Sequence, residues 1–209
     1  MVTAAILAGG RATRFGGCDK SALVVEGRTI FDRQMAELTQ VAGEILFVAP
    51  ATLQAQPAPR PGVKTVADLM PGCGPLGGLH AALTAARSEA VIVVACDMPY
   101  ISAPFLSHLA SLAGEPVEAG GSGGFVAVVP HTERGYHPLC AVYTRAAIEP
   151  IERRLADGRL TMTDLLTDLR LRIVASEEIA RFGDPHRLLA NVNSPADHRG
   201  LEALHNHEV

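Results

Sequence analysis

Residues 2–20 have the sequence VTAAILAGGRATRFGGCDK, in which a short apolar run leads directly into a loop rich in glycine and basic residues. The run from Val2 to Leu7 is nearly unbroken in its apolarity, which is typical of a strand in a parallel sheet covered by helices on both sides. A loop that follows such a strand lies at the carboxyl edge of the sheet, where open α/β folds bind their ligands. This stretch therefore predicts both the fold class and the place of the binding site.

The first half of the chain continues as an alternation of short apolar runs and helical patterns. Further strands are predicted over Glu44 to Val48, Lys64 to Val66 and Ala90 to Ala95. Helices are predicted over Ile30 to Val41, with Thr29 as N-cap, over Gly77 to Arg87 and over Ala103 to Ala113. This order predicts an α/β fold of the Rossmann-like type, a three-layer sandwich with a mostly parallel sheet.

The second half has a looser pattern. Two strands, Phe125 to Val129 and Leu139 to Tyr143, are predicted to form a small hairpin insertion. Helices are predicted over Ala146 to Asp157 and Thr163 to Leu169, and a last one opens at Ser194-Pro195. The sequence shows no repeat and no linker, so we expect a single domain over residues 1–209.

The composition narrows the class of protein. With 48% hydrophobic and 19% charged residues, the chain is not a disordered one. The net charge of −4 gives no overall field that would attract nucleic acid or an anionic membrane, so neither is an expected partner. No apolar run has the roughly 20 residues that cross a bilayer, and the amino terminus lacks the basic flank of a signal peptide. We therefore expect a cytoplasmic protein.

The loop after the first strand has the chemistry of a polyphosphate site. Its four glycines are Gly9, Gly10, Gly16 and Gly17, and its cations are Arg11, Arg14 and Lys20. Glycines let backbone N–H groups converge on an anion, and the cations offset its charge. The alternative is an ordinary βα loop with solvated basic residues. The loop is not a Walker A motif, because two residues separate its last glycine from the Lys20-Ser21 pair.

Asp97 follows the apolar run Ala90 to Ala95 and should face the same crevice. Magnesium is usually held by one or two carboxylates together with substrate phosphates, so Asp97 is a candidate Mg²⁺ ligand. The alternative is that it caps the turn or helix that follows.

Residues 72–77 also spell G-x-G-x-x-G before a predicted helix, as in dinucleotide-binding proteins. Two details weaken that interpretation: Pro75 has no N–H for a pyrophosphate, and residues 68–71 separate the strand from the first glycine. A nicotinamide enzyme would also leave the first loop unexplained.

The motif L-A-G-G-x-x-x-R-x-G-G-x-D-K, from Leu7 to Lys20, resembles the loop of the MobA-type molybdenum cofactor guanylyltransferases. The resemblance continues in the same order along the chain, at Asp68 ahead of GPLGG (74–78), CDMPY (96–100) and NVNSP (191–195). It implies transfer of GMP from GTP to the terminal phosphate of molybdopterin, with release of pyrophosphate and with Mg²⁺ on Asp97. Molybdoenzyme apoproteins or their chaperones would then receive the product.

The resemblance also implies roles for individual residues. Lys20, Asp97 and Arg14 would be catalytic. The nucleotide would be bound by Leu7, Ala8, Gly9, Gly10, Lys20, Asp68, Gly74 and Asp97. The acceptor would contact Arg14, His137, Asn191 and Asn193. Gly9, where cytidylyltransferase relatives carry alanine, favours GTP over CTP.

The chain departs from the family pattern at Val48-Ala49-Pro50, where relatives often carry a polar Asn. Two other functions stay open at this point. One is a cytidylyltransferase or another nucleotidyltransferase of this fold with a different phosphorylated acceptor. The other is a binding module without catalysis.

Overall fold

A computed structural model of the chain describes residues 2–8, 20–50, 62–68, 70, 72–113 and 124–192. Its strands are β1 (Val2–Leu7), β2 (Val24–Val25), β3 (Arg28–Thr29), β4 (Ala42–Pro50), β5 (Val63–Asp68), β6 (Ala90–Ala95), β7 (Ala127–Thr132), β8 (Gly135–Tyr136), β9 (Cys140–Thr144) and β10 (Leu171–Val174). Its α-helices are α1 (Ile30–Val41), α2 (Gly74–Ala85), α3 (Ala103–Ala113), α4 (Ile148–Ala156), α5 (Met162–Leu165), α6 (Ser176–Ile179) and α7 (Pro185–Leu188).

The central sheet has the strand order β10-β7-β9-β6-β1-β4-β5. All neighbours in this order are parallel except the two pairs that include β9, which runs antiparallel to both β6 and β7. The predicted α/β class with a mostly parallel sheet is therefore confirmed. The two strands predicted as a hairpin insertion correspond to β7 and β9, and both are members of the central sheet. The strand β8 pairs with the end of β7 and forms a small hairpin with it.

Helices cover both faces of this sheet, which gives the predicted three layers. Alternate residues of β1 divide between two buried clusters, as the period of a strand requires. Ala4 and Ile6 pack in one cluster with Phe31 of α1 and Phe105 of α3. The other cluster joins Ala5 and Leu7 of β1 to residues of α2, α4 and α5. The sheet is thus buried on both sides, and its carboxyl edge is the place left for a site.

Local signals explain where several elements begin and end. The Oγ1 of Thr29 accepts a hydrogen bond from the Asp32 N–H at 3.0 Å, so the predicted N-cap of α1 is confirmed. Gly158, which follows α4, has a φ of 68°, a conformation that favours glycine. The helix predicted from Gly77 begins three residues earlier, with Pro75 in its first turn. No described helix combines the length and apolarity that a membrane span requires.

Candidate active site

Four parallel strands end side by side at the carboxyl edge of the sheet. Leu7 at the end of β1 is level with Val48 of β4 on one side and with Ala95 of β6 on the other. The N–H of Ala8 donates to the carbonyl oxygen of Val48 at 2.7 Å, and the N–H of Cys96 donates to that of Leu7 at 3.2 Å. The predicted residues Leu7 and Ala8 therefore lie between β4 and the turn that carries Asp97. The glycine-rich segment follows Ala8 directly in the sequence.

Asp97 lies just beyond β6 and is half-buried. Its Oδ1 accepts a hydrogen bond from the Nδ2 of Asn191 at 2.8 Å, and its backbone carbonyl accepts one from the N–H of Val192 at 2.9 Å. Both contacts come from the carboxyl-terminal part of the chain. The structure thus brings together Asp97 and Asn191, two of the predicted site residues, and fixes the orientation of the carboxylate.

Asp68 ends β5 at the same edge, level with Pro50 of β4. Its Oδ1 accepts a hydrogen bond from the N–H of Met70 at 2.9 Å. Its carboxylate also lies against the first turn of α2, because a Cβ added at Gly77 would be 3.0 Å and 3.1 Å from its two oxygens. A carboxylate beside a helix N-terminus is electrostatically favourable.

The same contact argues against a dinucleotide site at residues 72–77. In such a site the pyrophosphate binds at the helix N-terminus. Here the Asp68 carboxylate lies beside that turn and would repel a second anion. Gly74, predicted to bind nucleotide, is exposed and has a φ of 59°, so it forms the bend into α2.

His137 lies at the carboxyl edge because β9 runs antiparallel and starts there. The carbonyl of Leu139, two residues on, accepts a hydrogen bond from the Ala95 N–H at 2.8 Å. The His137 ring is held by a hydrogen bond between its Nε2 and Thr132 Oγ1 at 2.9 Å. Burial, followed by the charges of Arg134 and His131, lowers the pKa of His137. The imidazole is therefore neutral at pH 7.

The remaining predicted residues lie outside the part of the chain that the structure describes. Gly9, Gly10, Arg14 and Asn193 belong to this group. Lys20 opens a 3₁₀ turn, Lys20–Ala22, and its side chain is also outside the described residues. The phosphate-binding role of this loop stays a prediction.

The donor set around Asp97 fits a magnesium ion that also binds its substrate. Within the described residues, no three His, Cys, Asp or Glu side chains lie close enough together to hold a metal ion. Asp97 would supply a carboxylate ligand to the ion, and phosphate oxygens and water would supply others. That division of ligands is the usual one for Mg²⁺.

A cluster of charged residues centred on Glu26 was not predicted from the sequence. Glu26 and Gly27 have φ angles of 49° and 75° and form the tight turn between β2 and β3. The Glu26 carboxylate accepts hydrogen bonds from the Tyr100 hydroxyl at 3.0 Å and from Arg187 at 3.1 Å, and it forms an ion pair with Arg33 at 3.0 Å. Burial, together with Glu26, raises the pKa of Tyr100 to about 12, so its hydroxyl remains a donor.

This cluster ties the hairpin after the glycine-rich loop to the residues that follow Asp97 and to the helix that precedes Asn191. The sequence carried one usable signal, the Glu26-Gly27 pair between two short runs of strand-forming residues. The partners, however, lie as far as 161 positions away along the chain.

Comparison with known proteins assigns the family. Residues 4–172 match the family model of the MobA-like NTP transferase domain. A molybdenum cofactor guanylyltransferase from Desulfosudis oleivorans is 33% identical over 205 residues, which cover 97% of this chain and 95% of that protein. A probable molybdenum cofactor guanylyltransferase from Pelotomaculum thermopropionicum is 33% identical over 196 residues, covering 93% and 89% of the two chains.

Solved structures agree with this assignment. The molybdopterin-guanine dinucleotide biosynthesis protein A of Archaeoglobus fulgidus has a TM-score of 0.78 and 25% identity, and the match covers 99% of this chain and 100% of that one. A 2-C-methyl-D-erythritol 4-phosphate cytidylyltransferase from Thermus thermophilus shares the fold, with a TM-score of 0.66, 18% identity and coverage of 99% and 100%. The resemblance found in the sequence motifs is confirmed: the chain belongs to the MobA-like NTP transferase family and is a nucleotidyltransferase.

Proposed function

We propose that this enzyme is a molybdenum cofactor guanylyltransferase, which transfers GMP from GTP to the terminal phosphate of molybdopterin and releases pyrophosphate. The observation that carries the proposal is the contact between two strand ends. The hydrogen bond from the Cys96 N–H to the Leu7 carbonyl joins the turn of Asp97 to the start of the L-A-G-G loop. The names of the relatives supply the substrates, GTP and molybdopterin.

The proposed reaction needs few chemically reactive groups from the protein. A phosphate oxygen of molybdopterin forms a bond to the α-phosphorus of GTP, and the bond from that phosphorus to the pyrophosphate oxygen breaks. The attacking oxygen is already anionic, so neither a protein nucleophile nor a strong base is needed. Catalysis is then mostly positioning and the neutralisation of charge, as in other phosphoryl transfers.

Asp97 is the residue that would hold Mg²⁺, which when bound offsets the charge of the phosphate oxygens. Asn191 donates to Asp97 Oδ1 and so has a positioning role in this proposal, in place of the direct acceptor contact that the resemblance implied. Lys20 and Arg14 would neutralise phosphate charge, and the backbone N–H groups of Gly9 and Gly10 would bind the triphosphate.

The nucleoside would lie on the other side of the loop, near Asp68 and the first turn of α2. An ionised carboxylate accepts hydrogen bonds only, so Asp68 suits the N–H groups of guanine or the hydroxyls of ribose. Met70 is 36% exposed beside it and offers an apolar surface to a base. The acceptor would approach from the side of His137, whose neutral ring can donate or accept a hydrogen bond.

Pyrophosphate release is the experiment that tests the proposal. The purified protein is incubated with Mg²⁺, molybdopterin and either GTP or CTP, and the dinucleotide product is identified by mass. We expect release that requires molybdopterin and that is faster with GTP. Preference for CTP would make the protein a cytidylyltransferase, and release only with another phosphorylated acceptor would change the substrate. Binding of GTP with no release under any condition would indicate a binding module.

We further propose that the enzyme acts in the cytoplasm and passes its product to molybdoenzyme apoproteins or their chaperones. The net charge of −4 is in keeping with partners other than nucleic acid or anionic membranes.

A further inference from the structure

Gln34 is a polar residue on the apolar, buried face of helix α1. It belongs to the buried face of α1 together with Ile30, Phe31 and Leu38, and it has no exposed surface. Burial of an amide costs free energy unless its donors and acceptors find partners. A glutamine at this position therefore needs an explanation that a helix packed on a sheet does not supply.

The Nε2 of Gln34 makes two hydrogen bonds, both to the turn that carries Asp97. It donates to the carbonyl of Ala95 at 2.7 Å and to that of Met98 at 3.1 Å. These carbonyls stand on either side of Cys96 and Asp97. Since carbonyl oxygens accept only, the side-chain nitrogen must face them, and the orientation of the amide is fixed.

The backbone of this turn has a hydrogen bond of its own, from the Met98 N–H to the Ala95 carbonyl at 3.4 Å, and donors from outside the turn bind four of its carbonyls. Besides the two carbonyls bound by Gln34, that of Pro99 accepts from the Nε of Arg33 at 3.0 Å, and that of Asp97 accepts from the N–H of Val192 at 2.9 Å. Four carbonyls between residues 95 and 99 are thus fixed by α1 and by the segment around Asn191. The path of the backbone through Asp97 depends on these contacts.

We propose that Gln34 is a positioning residue for nucleotidyl transfer, which fixes the Asp97 carboxylate by holding the backbone on both sides of it. The inference rests on the proposed function of Asp97 in binding Mg²⁺. Gln34 lies behind the turn, within the core, and Asn191 holds the carboxylate from the other direction. Together they restrict both the backbone and the side chain of Asp97.

The other end of the amide supports this role. Gln34 Oε1 is buried and has no hydrogen-bond partner among the described residues. A residue present only for packing would avoid that cost, because leucine or methionine would fill the same space without an unpaired oxygen. The two donors of the amide therefore account for the glutamine, and they serve the turn of Asp97 alone.

The test compares Gln34→Met, which keeps the length of the side chain but removes both donors, with Gln34→Glu. A buried glutamic acid is protonated, so it offers one O–H to one of the two carbonyls. Leu38→Met is the matched control, because Leu38 is equally buried on the same helix face. The measurements are Mn²⁺ binding to the protein with GTP by calorimetry, kcat, the half-saturating Mg²⁺ concentration, and amide exchange at Val192.

We expect Gln34→Met to weaken Mn²⁺ binding and to raise the half-saturating Mg²⁺ concentration about tenfold, with a ten- to hundredfold loss in kcat. The KM for GTP at saturating metal should change less than twofold, and the Val192 amide should exchange faster. Gln34→Glu should lie between Gln34→Met and the wild type in each measurement. Leu38→Met should leave all four unchanged.

The inference is overturned if the Gln34 variants bind Mn²⁺ as the wild type does and lose only thermal stability. If Gln34→Met does not fold, Gln34→Glu decides, since wild-type metal binding and exchange in that variant would also overturn it. Failure of the proposed function has a different result: the wild type itself then releases no pyrophosphate. In that case Mn²⁺ binding and Val192 exchange still report whether Gln34 fixes the turn.

Discussion

Asp68 and Asp97 are two carboxylates on one sheet edge, with the ends of β1 and β4 between them, and they are held in opposite ways. Asp68 accepts a hydrogen bond from a residue two positions further on and lies against the next helix. Asp97 is held by Asn191, 94 positions away, and its turn by Gln34 in α1. The contacts of Asp68 are with residues close to it in the chain, whereas those of Asp97 and its turn form only when distant parts of the chain pack together. The difference indicates that accurate placement matters more at Asp97.

The largest expected effect comes from neutralising Asp97. Asp97→Asn keeps the shape of the side chain but removes the charge that would hold Mg²⁺. We expect kcat for pyrophosphate release to fall on the order of a thousandfold, with a Tm within a few degrees of the wild type. Initial rates over a range of Mg²⁺ concentrations give the measurement.

Asp68→Asn is the matched control for this substitution. We expect it to raise the KM for GTP several-fold and to leave the Mg²⁺ requirement unchanged. An equal loss of metal dependence in both variants would mean that both carboxylates contribute to metal binding, and the contrast between them would be wrong.

Asn191→Ala tests whether Asn191 positions Asp97 or contacts the acceptor. Loss of the Nδ2 donor at 2.8 Å leaves the Asp97 carboxylate less restricted. Removal of such a supporting contact typically costs ten- to hundredfold in metal affinity or activity. We expect a loss of that size in kcat at subsaturating Mg²⁺, partly restored by excess metal. A rise confined to the KM for molybdopterin would instead support the direct acceptor contact.

Gly77→Ala should disturb Asp68 and spare Asp97. Its Cβ would be 3.0 Å and 3.1 Å from the Asp68 oxygens and 3.1 Å from the Cβ of Cys73, so these neighbours must give by a few tenths of an ångström. We expect the KM for GTP to rise about threefold to tenfold, a loss of about 1 kcal/mol in binding. Steady-state rates at saturating Mg²⁺ measure it, and the metal requirement should not change.

The adjacent glycine supplies the control. A Cβ at Gly78 would meet Leu7 at 3.7 Å, an ordinary van der Waals contact. Gly78→Ala should therefore keep the wild-type KM and stabilise α2 by up to about 1 kcal/mol, as alanine does in a helix interior. A similar KM in both variants would show that the position of Asp68 does not affect GTP binding.

The elements that the sequence predicted best are those whose signal is local. The predicted strand Ala90 to Ala95 and the predicted helix Ala103 to Ala113 match β6 and α3 at both ends. A buried strand or an apolar helix face can be recognised from the pattern of a few consecutive residues. The strand β10 (Leu171–Val174) was not predicted. It is short, half-exposed at the edge of the sheet and contains Arg172, so it has no continuous apolar run.

The placement of β9 is the part that local patterns could not supply. Its strand was predicted, but its position between β6 and β7 depends on pairing of Cys140 with Val94, far apart in the chain. The candidate site also combines local and long-range features. The position of Asp97 at the sheet edge was predicted from its place after a buried strand. Its contact with Asn191 and the contacts of Gln34 depend on tertiary packing.

The smallest expected effect concerns His137, which is held, like Asp68, by residues close to it in the chain. Burial, Arg134 and His131 lower its pKa in the folded state, whereas the unfolded chain has an ordinary value of about 6.5. As the pH falls below 6.5, the unfolded state takes up a proton that the folded state does not, so the free energy of unfolding decreases. Urea unfolding between pH 7 and pH 5 measures the slope of the free energy of unfolding against pH.

His137→Gln can keep the hydrogen bond to Thr132 and should reduce this slope. His186→Gln is the control, because His186 forms an exposed pair with Glu133. A slope unchanged in His137→Gln would mean that other groups carry the acid sensitivity.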